Sequence, residues 1–177
     1  TREALAKLPV IYGSPTVTAG NAPPLSAGSS AILLMTRKKA EEKGLKPMAT
    51  VVAVVASATA PRAISEIPAI TINKALDKAG LTIDQMDMIE INEAFAAVTL
   101  TATKILANGD EMKWKGILDK TNVNGGAIAL GHPVGASAAR ITMHIAYELG
   151  RRGGGYGVAA ICGGLAQGEA IILHLEK

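Results

Sequence analysis

Three short segments carry the side chains of this sequence best suited to chemistry: Ile91-Asn92-Glu93-Ala94-Phe95, Gly131-His132-Pro133-Val134-Gly135 and Ile161-Cys162-Gly163-Gly164. Each sets one polar, reactive group among small residues. A neutral imidazole at His132 can take a proton from a thiol or donate one hydrogen bond to a developing oxyanion. The thiol of Cys162 can act as an acid or, once ionised, as a base, and with His132 it makes an acid–base pair. Asn92 offers an amide that can hold a water or an oxyanion. Gly163 and Gly164 leave backbone N–H groups accessible and permit φ > 0, which suits an anion-binding nest. A site that used Cys162 as its base would need a separate nucleophile, and the chain has no second cysteine.

Each residue also has a plainer reading. Asn92 is a favourable helix N-cap, His132 can be a satisfied loop histidine, and a lone cysteine is commonly buried and inert. His144 reads as a helix-surface residue and His174 as a strand residue near the end of the chain. One cysteine and three scattered histidines make no metal-ligand pattern.

The elements that must position these groups alternate. Residues 1–30 are irregular, punctuated by Pro9, Gly13, Pro15, Gly20, Pro23, Pro24 and Gly28. A first helix is expected from about Leu25 to Lys43. The continuous apolar run from Ala49 to Ala58 reads as a strand buried on both faces. A helix follows from Ser65 or Pro68 to Lys78, then a strand from Asp87 to Ile91 and a helix from Glu93 to Ala107. Residues 110–121 read as a polar connection and Asn122-Val123-Asn124 as a short strand. A loop of small residues leads to a helix opened by Pro133 and running through Leu149. Strands from Tyr156 to Cys162 and Glu169 to Leu175 close the chain. The order β-α-β-α-β-α-β-β, with long helical connections, predicts an α/β fold: a mainly parallel sheet whose last strand is antiparallel, covered by helices. Asn92, His132 and Cys162 then all lie at strand ends, where such sheets bind ligands. For His132 the expected place is the N-terminus of the Pro133 helix, whose dipole disfavours the imidazolium.

Composition narrows the class. With 49% hydrophobic but only 3% aromatic residues, the core must be built from Ala, Val, Ile and Leu. A net charge of +3 with so few stacking rings argues against a nucleic-acid partner. No apolar run reaches membrane-spanning length and no leader is visible. The single cysteine fits a reducing compartment, so a cytoplasmic location is expected.

The same segments, set beside others, resemble the thiolase family of acetyl-CoA C-acetyltransferases and 3-ketoacyl-CoA thiolases. Asn92-Glu93-Ala94-Phe95-Ala96 matches the NEAFA motif. The stretch from Asn122 to Pro133 (Asn-Val-Asn-Gly-Gly-Ala-Ile-Ala-Leu-Gly-His-Pro) matches the NxxGGxIAxGHP signature, extended by Gly135-Ala136-Ser137, and Cys162 with Gly164 matches the terminal CxG motif. Thr16-Val17-Thr18-Ala19-Gly20-Asn21-Ala22 looks like the family's CoA-contacting segment. The match covers nearly the whole chain and corresponds to the C-terminal half of the family's two-half fold.

The resemblance implies roles. His132 would activate a nucleophilic cysteine and donate to the thioester oxygen of an enolate. Asn92 would hold the water that completes that oxyanion hole, Cys162 would remove the α-proton, and the N–H of Gly164 would help bind the acyl-enzyme oxyanion. Ala19, Gly20, Ala22, Ala94 and Phe95 would contact CoA. Coenzyme A or acyl-CoA enters as substrate, with no covalently bound cofactor and no metal. The nucleophile belongs to the family's N-terminal half, so that half is the implied partner and the chain alone is expected not to turn over. The full enzyme would be a homo-oligomer, dimer or tetramer. Residues 1–30 would be the tail of a loop region and 31–177 the C-terminal domain. The sequence departs from the family at Pro23, Ile64–Pro68, Ala138 and Leu165, positions that touch pantetheine and acyl-chain recognition. A different class, a non-catalytic CoA-binding or assembly subunit of the same fold, is the competing reading; it has no use for a base such as Cys162.

Overall fold

A computed structural model of the protein describes residues 1–176. Four strands form one sheet in the order β1-β4-β3-β2: β1 (Thr50–Ala58), β2 (Met88–Ile91), β3 (Gly155–Gly163) and β4 (Gln167–Leu175). Seven α-helices are α1 (Arg2–Ala6), α2 (Arg37–Glu42), α3 (Ile67–Ala79), α4 (Ala96–Leu106), α5 (Glu111–Asp119), α6 (Ala127–Leu130) and α7 (Ser137–Arg152). The α/β class and the helix-covered mixed sheet expected from the sequence are present.

The topology refines that expectation. β1, β2 and β3 run the same way and β4 runs against them, as predicted. Because β4 inserts between β1 and β3, however, only β2 and β3 form a parallel ladder. The predicted strand at 122–124 reduces to one parallel bridge, Ile89 to Thr121.

Helices cover both faces. α3 packs on β1 and β4 with Ile72, Ala75 and Leu76 buried, the i, i+3, i+4 spacing of an amphipathic helix. It stops at Gly80 in the left-handed region (φ 66°). α7 lies on the other face against β2 and β3, burying Ile141, Ile145 and Leu149 at spacings of four, and stops at Gly153 (φ 84°).

Several expectations are corrected. The helix expected over Leu25–Lys43 is confined to Arg37–Glu42, opened by Thr36, whose side chain accepts the N–H of Lys39, while residues 26–36 form neither helix nor strand. Residues Glu111–Asp119 form α5 in place of a loop, capped by Asp110, whose side chain accepts the N–H of Lys113 at 2.9 Å. Pro133 does not start α7: it sits in a turn, and its carbonyl accepts the N–H groups of Ala136 and Ser137. β1 lies at the sheet edge and is not buried on both faces: Ala53 and Val55 are buried while Val51, Val52 and Val54 stay exposed. Lys74 and Lys78 of α3 donate to the carbonyls of Ala56 and Val54, which occupies part of that free edge.

Candidate active site

The end of β2 presents Asn92. Its N–H donates to Ala160 of β3 at 3.0 Å, so the parallel ladder continues one residue past the strand. Asn92 is fully buried. It is not a helix cap, since α4 is capped by Phe95 without a side-chain bond. Its side chain is thus free for another task.

A false strand holds this turn. Asn122 accepts the N–H of Ile91 at its Oδ1 (2.9 Å) and donates from Nδ2 to the Ile91 carbonyl (2.9 Å). The amide side chain reproduces a peptide's pattern where true pairing has ended at Thr121. Asn122 sits at φ 48°, a conformation asparagine tolerates better than most residues. Glu93 then pins the following loop: Oε1 accepts from Asn122 Nδ2 (3.3 Å) and Oε2 from the N–H of Ile128 (3.0 Å). A Cβ at Gly126 would stand 2.4 Å from Glu93 Oε2, so the close approach requires glycine.

His132 lies in the link between α6 and α7, after Gly131 (φ 99°). The arm holds its backbone: Leu25 forms a parallel bridge with His132, and Ser26 Oγ accepts its N–H at 3.1 Å. On the ring, Nδ1 lies 2.7 Å from Ser137 Oγ, and Nε2 lies 3.4 Å from Asn92 Nδ2. The proton positions follow from donor counting. The Ser137 hydroxyl is within donating distance of the Pro133 carbonyl (3.1 Å), and in that arrangement Oγ accepts from Nδ1–H. Nε2 of the neutral ring is left with its lone pair facing the Asn92 amide. Burial depresses the His132 pKa, and the Arg140 guanidinium depresses it further. These causes replace the expected helix dipole, because α7 begins only at Ser137.

Cys162 pairs with Gly168 near the end of β3, two residues beyond the Ala160 carbonyl that binds Asn92. Strand alternation turns its side chain to the α3 face, with Val158 and Ala160. Burial pushes the thiol pKa up. The structure therefore brings Asn92 and His132 together, places Cys162 at the same sheet end, and does not join it to His132. At Gly164 a Cβ would meet nothing within 4 Å, so its surroundings are open. The left-handed residues of this turn are Leu165 (φ 59°) and Ala166 (φ 56°), not the glycines before them.

Ala19, Gly20 and Ala22 surround a turn in which Asn21 Oδ1 accepts the Thr18 N–H at 2.8 Å. The Asn21 carbonyl accepts the N–H of Ala96 (2.9 Å), which seats this turn beside Ala94 and Phe95. Ala22 is buried, while Ala19 and Phe95 are exposed. Sequence reasoning did not single out Asn122, Ser137 or Ser26. The first two lie inside matched motifs, whereas Ser26 carries no signal of its own.

Nor is His144 a surface residue, as the sequence implied: it is turned inward, with Nδ1 2.8 Å from Oε1 of the fully buried Glu90. No helix among the described residues is long and apolar enough to cross a membrane.

Comparisons with known proteins identify the family. Residues 45–175 match the model of the thiolase C-terminal domain. The chain is 48% identical over 175 residues to a probable acetyl-CoA acetyltransferase of Mycolicibacterium smegmatis, covering 98% of this chain and 43% of that protein. The crystal structure of the Bacillus anthracis acetyl-CoA acetyltransferase superposes with a TM-score of 0.88 at 41% identity, covering 99% of this chain and 43% of that one. Human mitochondrial 3-ketoacyl-CoA thiolase, solved in complex with CoA, gives 0.86 at 39% identity, covering 100% and 43%. The chain thus spans about 43% of the length of the relatives it matches. With a family model matching residues 45–175 and relatives above 40% identity, the chain belongs to the thiolase family, as a C-terminal domain.

Proposed function

We propose that this chain is the C-terminal catalytic half of a thiolase that transfers acyl groups between CoA thioesters, by Claisen condensation or by thiolytic cleavage of a 3-ketoacyl-CoA. The observation that carries this reading is the His132 ring. With Nδ1–H facing Ser137, Nε2 carries the lone pair; its contact with the Asn92 amide is long (3.4 Å), and a cysteine thiol displaces it, giving its proton to Nε2 as the sulfur attacks an acyl carbonyl carbon. Once protonated, Nε2–H donates to the thioester oxygen of an enolate. The buried Oδ1 of Asn92 has no hydrogen-bond partner among the described residues, which supports its holding the water of that oxyanion hole. Cys162 gives its thiol proton to the CoA sulfur that leaves as the acyl-enzyme forms; the resulting thiolate removes the α-proton of the second acyl-CoA, and the same transfers run backwards in thiolysis. A thiol whose pKa is raised by burial is a strong base once ionised. The N–H of Gly164 serves the acyl-enzyme oxyanion.

CoA is read as lying along Ala19, Gly20, Ala22, Ala94 and Phe95, two stretches that the Asn21–Ala96 bond holds together. The nucleophilic cysteine comes from a complementary N-terminal half. An apolar groove of about 790 Å³ bounded by Leu33, Met48, Val54, Tyr147 and Ile171 supports this partner. The full enzyme is read as a homo-oligomer working in the cytoplasm, with residues 1–30 as the tail of a loop region and 31–177 as the domain.

Mixing the chain with a separately produced N-terminal thiolase half, then assaying acetoacetyl-CoA thiolysis with free CoA, tests the proposal. Turnover is expected in the mixture and not in the chain alone, and His132→Ala should abolish it. Binding of CoA without turnover by the mixture would favour a non-catalytic subunit instead.

A further inference from the structure

Beneath the site runs a second polar array with no part in the roles above. Glu90 precedes Asn92 by two residues on β2, so both side chains leave the same face of the strand, toward α7. Glu90 is fully buried. His144, on α7, stands seven residues after Ser137 and therefore on the same helix face. Its Nδ1 lies 2.8 Å from Glu90 Oε1, a contact that is short but bent away from the line of the ring N–H. Its Nε2 lies 2.9 Å from Asn124 Nδ2, which also donates to Glu148 Oε2 at 3.0 Å. Arg152 and Arg151 both donate to the Glu148 carboxylate and hold its pKa down to about 2.

Counting donors settles the protons. Glu148 is ionised and can only accept, so Asn124 must face it with its amide nitrogen. That nitrogen can only donate, so Nε2 of His144 must accept. An imidazolium would set N–H against N–H at this contact and is excluded. His144 is neutral, with its proton on Nδ1 facing Glu90. Burial depresses its pKa, with Arg140 next, which agrees. Burial drives the Glu90 carboxyl up to about 8 against the pull of Arg140, with Glu93 and Glu148 adding to the rise.

We propose that Glu90 and His144 are a positioning pair: they brace β2 to α7 as a neutral carboxyl–imidazole contact and so set the approach of Asn92 to His132. β2 leads into Asn92, and α7 carries the Ser137 that orients His132; Glu90–His144 is a polar contact between those two elements. Ionising Glu90 sets a buried anion beside Arg140. That cancels part of the guanidinium field on His132 and makes its ring more basic. The catalytic consequence rests on the proposed thiolase role, but the coupling between the two sites does not.

The test uses the full chain, labelled with 15N at histidine, followed by NMR from pH 6 to 10. His144 is expected as the neutral Nδ1–H tautomer, and the His132 signals are expected to show a step near pH 8. Glu90→Gln should remove the step and keep the His144 tautomer; His144→Ala should shift the His132 ring and Asn92 amide signals. A His132 titration identical in the wild type and Glu90→Gln, or His144 protonated on Nε2, would overturn the proposal. In the enzyme assembled with its N-terminal half, Glu90→Ala should lower kcat by roughly tenfold or more with little change in KM, and Glu90→Gln should restore most of it. If the His132 step is seen but no assembled enzyme turns over, the positioning pair stands and the thiolase reading fails.

Discussion

The side chain of Asn122 binds both backbone groups of Ile91, accepting its N–H and donating to its carbonyl, each at 2.9 Å. The amide thereby acts as one more residue of strand beyond the Ile89–Thr121 bridge and fixes the peptide that carries Asn92. Replacing Asn122 with Ala removes two partly buried hydrogen bonds and leaves their partners unpaired. The expected loss of stability is about 2–3 kcal/mol, read from the urea unfolding midpoint at unchanged slope. A loss under half a kcal/mol would show that water replaces the amide there.

Ser137 decides which ring nitrogen of His132 carries the proton. Ser137→Ala frees the ring to take either tautomer. Losing that hydrogen bond of about 1 kcal/mol should slow turnover of the assembled enzyme roughly fivefold. The His132 ring nitrogens should shift toward a tautomer mixture by 15N NMR. Unchanged shifts would place the orienting contact elsewhere.

Glu90 gives stability an unusual pH dependence. Its folded pKa of about 8 exceeds the usual carboxyl value of 4.5. Between these values the folded state keeps a proton that the unfolded chain has lost. The contribution is complete below about pH 4.5 and declines as pH rises to about 8, by up to roughly 1.4 kcal/mol per pH unit. Glu148 acts oppositely: its contribution is present above pH 4.5 and lost as pH falls toward 2. Urea unfolding at pH 5, 6.5 and 8 should show the decline, and Glu90→Gln should flatten it. Parallel curves for the two proteins would assign the slope to other groups.

Leu165 holds a left-handed conformation (φ 59°) with its side chain mostly exposed. That backbone state costs a residue with a Cβ about 1 kcal/mol. Leu165→Gly removes the cost but adds chain entropy to the unfolded state, leaving a net gain of about 0.5 kcal/mol. A melting temperature higher by roughly 1–2 °C is expected by calorimetry; a fall would mean that the leucine side chain makes stabilising contacts.

Much of this protein was legible as local pattern. The periodicity of α3 and α7 and their glycine stops follow from side-chain spacing and backbone sterics, which act within a few residues. Motif chemistry alone also singled out Asn92, His132 and Cys162 and the family they belong to. The sequence did not show that β4 inserts between β1 and β3, because strand order depends on which edges bury most surface once helices are in place. Nor did it show that β1 is only partly covered, since an apolar run reads the same whether or not both faces are buried. His144 looked like a surface residue because spacing cannot reveal that Glu90 waits on the facing strand. The tautomer of His132 was likewise open until Pro133 and Ser137 were seen to share one proton. The types of the reactive groups are a property of the chain, but their protonation and mutual orientation arise from contacts between residues far apart in it, and those exist only after folding.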